Sequence, residues 1–280
     1  MSYKLTICIL VLFLGVLAFS TEDVGSMLIE HVSDGNTWQP FPFMKAISLS
    51  NLSFLGKEIR FTRHVLMLLI SSGILVLLLS MAFAKVRIIP NTLGGILEPV
   101  VLFIRDSIVF PTMGEARGNA WLPFFLTMFF FILASNILGL IPMFPTVTSN
   151  MNVTIALAVI TLSCIFCYGV ISLGPIGFFT NMIPHGIPKP IGILLLGIET
   201  LGLFIRSGVL AVRLFANMMA GHFVILSLIV LIFVVHPLAA VISIPLALFI
   251  NLLEVLVCLI QALVFTLLSA LFISSASSNH

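Results

Sequence analysis

Charge is scarce in this chain. Only 8% of its 280 residues are Asp, Glu, Lys or Arg, against roughly 25% in a soluble domain. A water-facing surface cannot be assembled from so few ionic groups. The two signs nearly cancel, with twelve Lys and Arg against ten Asp and Glu for a net +2, so no continuous basic face exists to bind a phosphate backbone. Nucleic acid is excluded as a partner. Cysteine is sparse, and Cys8, Cys164, Cys167 and Cys258 all lie inside apolar stretches, which gives no disulfide framework. Cys164 and Cys167 form a C-x-x-C, but without a second pair, a helix-opening Pro or a nearby His the spacing reads as helix packing. Also missing are a Walker A loop, an H-E-x-x-H helix and a G-x-S-x-G elbow, so the chain offers no phosphate cradle, zinc helix or nucleophile. No metal and no cofactor are expected.

What the chain has in quantity is hydrocarbon. Hydrophobic residues make up 60% of it, and the mean hydropathy is +1.28. Apolar runs approach the roughly 20 residues that cross a bilayer, so membrane lipid is the solvent for most of the sequence. Residues 1–20 carry Lys4, a short apolar core and Ala18-Phe19-Ser20, the pattern of a cleavable signal peptide. The alternative is a first membrane helix, for which the core is short. Residues 21–63 then form a periplasmic segment with Trp38, Pro40, Phe41, Pro42 and Phe43 and little periodicity.

The membrane domain spans 64–280. Its first crossing runs from about His64 to Ala84 and is closed by Lys85, Arg87 and Pro90. Residues 91–118 interleave Ile96, Leu97, Val100, Val101, Ile104 and Ile108 with Glu98, Arg105 and Asp106, which suits an amphipathic helix lying on the membrane surface. Two crossings follow at about 120–141 and 153–174, joined by a charge-free hairpin with two prolines. Residues 175–190 read as a loop. Two final apolar stretches, about 191–235 and 238–276, are split by His236-Pro237. Each is too long for an upright span: a helix of about 45 residues measures roughly 67 Å, so it must tilt by about 60° or break. The expected fold is an all-α membrane protein with five crossings plus a surface helix, the last two crossings forming a long, strongly tilted hairpin.

Basic residues gather in 85–118 and at Lys189, whereas 142–151 and 236–237 carry none. The basic loops are therefore assigned to the cytoplasm, with the mature N-terminus periplasmic and the C-terminus cytoplasmic. Lys57, Arg60 and Arg63 at the outer end of the first crossing run against this, and the signal-like start decides.

The informative residues are ionisable groups inside the last hairpin: Glu199, Arg206, Arg213, His222 and Glu254, with the amides Asn217, Asn251 and Gln261. A charge at the bilayer centre costs from about 2.5 to about 17 kcal/mol depending on the reference state, so each marks a functional site by default. Pairing that merely fixes helix packing is the competing explanation, and Glu199 and Arg206 could snorkel. At 100° per residue Glu199, Arg206 and Arg213 share one stripe of a helix, while His222 faces the opposite way. Folding the hairpin about His236-Pro237 sets Gln261 opposite Arg213 and Glu254 beside His222. A His and a carboxylate can hold and release protons, whereas Arg stays protonated and forms a fixed positive barrier. The step across it requires a moving carboxylate from another molecule.

Arg213-Leu214-Phe215-Ala216-Asn217, followed by Ala220-Gly221-His222, resembles the signature of subunit a of F-type ATP synthase. Asn136-Ile137-Leu138-Gly139-Leu140-Ile141-Pro142 is similar to that family's Asn-x-x-Gly-Leu-x-Pro segment, and Glu254 and Gln261 fall at the family's spacing. The resemblance covers roughly residues 60–278. It implies that Arg213 is the stator arginine facing a ring of c subunits. His222 and Glu254 would then serve a periplasmic half-channel, Glu199 a cytoplasmic one, and Asn217 and Gln261 would position Arg213 or water. In some members the acid and the His of this couple occupy the opposite positions. It further implies a non-catalytic proton-translocating subunit of the bacterial inner membrane, with the c-subunit ring, the b-subunit peripheral stalk and the other ATP synthase subunits as partners. A self-contained secondary transporter or channel is the rival, although inverted repeats and broken helices around a midplane site are lacking. A purely structural membrane subunit is the third reading.

Overall fold

The computed structural model describes residues 37–38, 47–48, 52–54, 57–59, 62–83, 92–141, 144–181, 189–234 and 237–276. The signal-like segment 1–20, Lys85, Arg87, His185 and His236 lie outside the described residues. Before the membrane domain stand two small antiparallel hairpins. β1 (Thr37–Trp38) pairs with β2 (Ile47–Ser48), and β3 (Leu52–Phe54) with β4 (Lys57–Ile59), Ser53 opposite Glu58. Strands of two or three residues are too short to leave an alternating pattern in sequence.

Among the described residues the other elements are helical: α1 (Arg63–Phe83), α2 (Thr92–Phe103), a π-helical turn (Ile104–Val109), α3 (Phe110–Met113), α4 (Glu115–Gly139), a 3-10 turn (Val147–Ser149), α5 (Met151–Leu173), α6 (Pro175–Asn181), α7 (Lys189–Val234), a second 3-10 turn (Pro237–Ala239) and α8 (Ala240–Ser275). Five of them, α1, α4, α5, α7 and α8, are long and apolar enough to cross a membrane. The fold is therefore that of an all-α membrane protein with the five expected crossings. α4 begins earlier than the apolar run, because Gly114 turns the chain at φ 75° and Glu115 places its charge in the first helical turn, where the helix dipole favours it.

The surface segment departs from a plain amphipathic helix. The π turn carries Ile104, Ile108 and Val109 inward, buried, while the Arg105 Nε to Asp106 Oδ1 ion pair (2.7 Å) remains outside. That hydrogen bond holds the Asp106 carboxyl below its ordinary range. One apolar face of α2 and the π turn packs on protein, against α1, α4 and α8, and another, with Ile96 and Phe103, stays exposed. A short helix, α6, stands where the prolines of 175–190 had suggested only a loop. Gly174, at φ 75°, ends α5, and Pro175 occupies a first helical position that needs no N–H donor.

The core lies between α4, α5 and α8, where Phe125, Phe129, Ile132, Ile165, Phe265 and Ile273 are all completely buried. Trp121 on α4 meets Tyr168 on α5 edge to face, with centroids 5.1 Å apart. α1 rides on α4 through Met67, Ser71 and Leu75. α7 packs on α5 and α8, and α8 also on α4. The 46 residues of α7 form one unbroken helix. At about 69 Å it is more than twice the hydrocarbon thickness, so it leans strongly if its apolar length is to stay in lipid.

Phe178 on α6 closes the corner between α5 and the end of α8. A side chain added at Gly169 would run into the Phe178 ring and the Ala276 carbonyl. We expect Gly169→Val to cost about 1–3 kcal/mol through overpacking, read as a lowered thermal unfolding midpoint in detergent. Adding Phe178→Ala should relieve part of that loss.

Candidate functional site

The polar groups of the long hairpin sort onto two sides of α7. Leu203, Ser207, Leu210, Leu214 and Met218 form its buried stripe, the spacing of a helix with one face against protein. Arg206 and Arg213 are exposed on the other side, as are Val209, Val212, Ala216 and Ala220. On α8 the residues Leu252, Val255, Leu256, Leu259 and Ile260 are likewise exposed. The two helices thus present a wide apolar surface with two guanidiniums, that of Arg206 paired with Glu199 and that of Arg213 near the middle of α7. Arg213 has no hydrogen bond or ion pair among the described residues.

Toward the start of α7, Arg206 Nη2 donates to Glu199 Oε1 at 3.1 Å, and the Arg206 guanidinium lies over the Phe272 ring of α8 at 5.9 Å. The expected stripe of Glu199, Arg206 and Arg213 therefore contains one ion pair, between its first two members. The hairpin register is shifted by about one turn from the predicted one at its centre. Asn217 Nδ2 donates to Gln261 Oε1 at 3.0 Å, so Gln261 meets Asn217 rather than standing opposite Arg213. The fold point assumed at His236-Pro237 sets the register only to within a turn.

On the far side of the seam Glu254 is 5% exposed, and neither carboxylate oxygen has a hydrogen-bond partner among the described residues. It lies directly over Gly221, where any added Cβ would strike the carboxylate. Glycine is required here by close approach. Glu254 thus sits beside the residue preceding His222, as the folding of the hairpin predicted, and no hydrogen bond joins the two side chains. The His222 Nε2 meets Thr146 Oγ1.

Thr146 belongs to the α4–α5 connection, and this is the part of the site that sequence reasoning missed. Thr148 Oγ1 donates to Asn136 Oδ1 at 2.6 Å, Ser149 Oγ to the Thr146 carbonyl at 2.8 Å, and Thr146, Thr148 and Asn136 are almost wholly buried. Gly139 lets Thr146 approach α4, since a Cβ there would overlap the threonine side chain. Asn136 Nδ2 is buried without a partner among the described residues. The run Thr146-Val147-Thr148-Ser149-Asn150 was the available signal: five consecutive residues in a membrane hairpin, four of them uncharged and polar. Among the described residues no three His, Cys, Asp or Glu converge to hold a metal ion.

The site can therefore offer two separate polar regions on either side of Arg213: His222, Glu254 and the buried hydroxyls and amide of the α4–α5 connection, and the Glu199–Arg206 pair. Asn217 and Gln261 brace the seam between them. We expect Asn217→Leu to strand the buried Gln261 amide at a cost of about 1–3 kcal/mol, with most of it recovered when Gln261→Leu is added. Thermal unfolding of the four proteins of that cycle reads the coupling.

The profile of the ATP synthase A chain family matches residues 65–274. Among similar proteins, the ATP synthase subunit a of Anaeromyxobacter dehalogenans (strain 2CP-C) is 36% identical over 275 residues, covering 92% of this chain and 72% of that protein. The ATP synthase subunit a 2 of Chlorobium luteolum is 40% identical over 267 residues, covering 92% and 77%. That of Chlorobaculum tepidum is 37% identical over 272 residues, covering 95% and 76%. With the family profile spanning the whole run of described membrane helices, this chain belongs to the ATP synthase A chain family.

Proposed function

We propose that the protein is the proton-translocating subunit a of an F-type ATP synthase membrane sector. The observation that carries the reading is Arg213. A guanidinium does not deprotonate in proteins, and its cost in hydrocarbon is met only by a partner. None of the described residues provides an ion pair or hydrogen bond, and the face on which it stands is open and apolar. A carboxylate on a neighbouring ring of c subunits has the right chemistry, and Ala216 and Ala220 on the same face leave room for another helix to come close.

In this mechanism one half-channel runs from the periplasm past the α4–α5 connection to His222 and Glu254, two groups able to take up and hand on a proton. The other leads to the cytoplasm past Glu199. Arg213 separates them. Its fixed charge repels a free proton and attracts the ionised ring carboxylate, so a proton crosses only when the ring turns. The driving term is about 2.3 kcal/mol per charge per 100 mV, accumulated over several ring steps for each ATP made elsewhere in the complex. This subunit performs no catalysis and binds no nucleotide. Residues 1–20 act as a signal peptide, 21–63 lie in the periplasm, and the C-terminus lies in the cytoplasm of a bacterial inner membrane. The b-subunit stalk and the remaining ATP synthase subunits complete the assembly.

Replacing Arg213 by Ala should abolish coupled ATP synthesis in inverted membrane vesicles while the complex still assembles on native gels. Failed assembly would instead favour a structural role for the charge. Exchange of His222 and Glu254 for one another should keep more proton pumping than either Ala substitution. Equal loss in all three variants would remove the reason to treat them as one uptake station.

A further inference from the structure

Met218 on α7 and Cys258 on α8 meet inside the seam, where they are 1% and 0% exposed. The Cys258 thiol donates to the Met218 thioether with the two sulfurs 3.9 Å apart. No step described above uses either residue. Thiol and thioether are weak hydrogen-bonding groups, but a thiolate and a thioether together are the soft donors that select soft cations such as copper(I). The spacing fits. A metal held about 2.3 Å from each of two sulfurs, in a trigonal arrangement, sets them about 4.0 Å apart. Ordinary packing gives a similar distance, so the third position decides.

Glu254 stands at that position. It lies one helical turn before Cys258, and residues four apart on a helix have Cβ atoms about 5–6 Å from each other. It acts electrostatically on the Cys258 thiol. Its carboxylate presses on Gly221, three residues beyond Met218 and therefore on the same side of α7. At 5% exposure its two oxygens have no hydrogen-bond partner among the described residues, which a buried carboxylate rarely tolerates. Two sulfurs and an uncommitted oxygen thus converge from two helices at one level of the seam. Met218 and Cys258 are 40 residues apart, so no ligand spacing announces them in the sequence.

We propose that Cys258, Met218 and Glu254 form a binding site for a soft monovalent cation of the copper(I) class. Binding breaks the Cys258 S–H bond and forms a metal–sulfur bond, since the thiolate is the form that ligates. The proton leaves to water, the thiolate balances the single positive charge, and no electron is transferred. Met218 donates a sulfur lone pair and Glu254 an oxygen lone pair. Occupancy ties down Glu254, so on the proton-translocating reading above the bound cation inhibits proton uptake. The inhibition rests on that reading, whereas the binding stands apart from it.

The test uses the complete membrane sector, with its c-ring, in vesicles, and takes silver(I), a redox-inert ion of the same class, as the probe. Cys8→Ser, Cys164→Ser and Cys167→Ser leave Cys258 as the one thiol of this chain. In that background silver should fill one more site per subunit than after Cys258→Ala, read by elemental analysis after gel filtration. Met218→Leu keeps the thiol and nearly the volume. It should weaken that binding at least about tenfold, as should Glu254→Gln, because losing even an outer-shell partner costs a metal site about 10–100-fold. Unchanged silver affinity in either variant would show a plain thiol and overturn the proposal, and so would equal binding with and without Cys258. Passive proton flux is read on the same vesicles. Silver should block it in the parent, whereas Cys258→Ala and Met218→Leu should conduct normally and resist silver. Undiminished conduction with the site filled would overturn the inhibition. A parent sector that conducts no protons overturns the translocation reading and leaves the binding result standing, whereas a conducting sector that binds no silver at Cys258 overturns the site alone.

Discussion

Everything distinctive in this structure follows from the price of an ion in hydrocarbon. The hairpin of α7 and α8 carries two guanidiniums, two carboxylates and three amides within helices long and apolar enough to cross a membrane. The protein resolves the problem differently at each position. The amides of Asn217 and Gln261 satisfy each other. Glu199 and Arg206 form an ion pair and add a cation–π contact to Phe272. Glu254 is enclosed by protein against Gly221. Arg213 alone is exposed on the apolar face with neither an ion pair nor a hydrogen bond among the described residues.

The rest of the fold holds the seam in place. α4 and α5 form a densely aromatic backing, and their connection is folded back so that Thr146 reaches His222. The polar connection is shielded by close contacts that depend on small residues, Gly139 under Thr146 and Gly221 under Glu254. Removing Cβ atoms there brings side chains within reach that helices of ordinary residues would keep several ångströms apart. The surface segment contributes from the other end, where Ser274 Oγ at the close of α8 donates to the Thr112 carbonyl at 2.6 Å.

Much of this was legible in the sequence because hydrocarbon imposes lengths. The five crossings fall where the apolar runs fall, and the excess length expected of the last two is found in α7 and α8. The separation of Arg213 from His222 on opposite faces followed from helical periodicity alone. What escaped detection was set by contacts remote in sequence. The pairing of Asn217 with Gln261 depends on how two long helices start and cross, which no local pattern records. The contact of His222 with Thr146 depends on a connection 76 residues away. The α6 helix was hidden because its roughly two turns are held by Phe178 filling the space over Gly169 rather than by any propensity of its own.

The unbroken run of α7 has a geometric corollary. A helix of 46 residues lying over by about 60° converts distance along its axis mostly into distance in the plane of the bilayer. From Glu199 to His222 is 23 residues, about 34 Å of axis, and at that slope some 30 Å of it is sideways and only about 17 Å is depth. Groups that an upright helix would stack one above another would at that slope be spread out like stations along a shallow ramp. Such a slope would separate the two polar regions of the hairpin more in the plane of the bilayer than in depth.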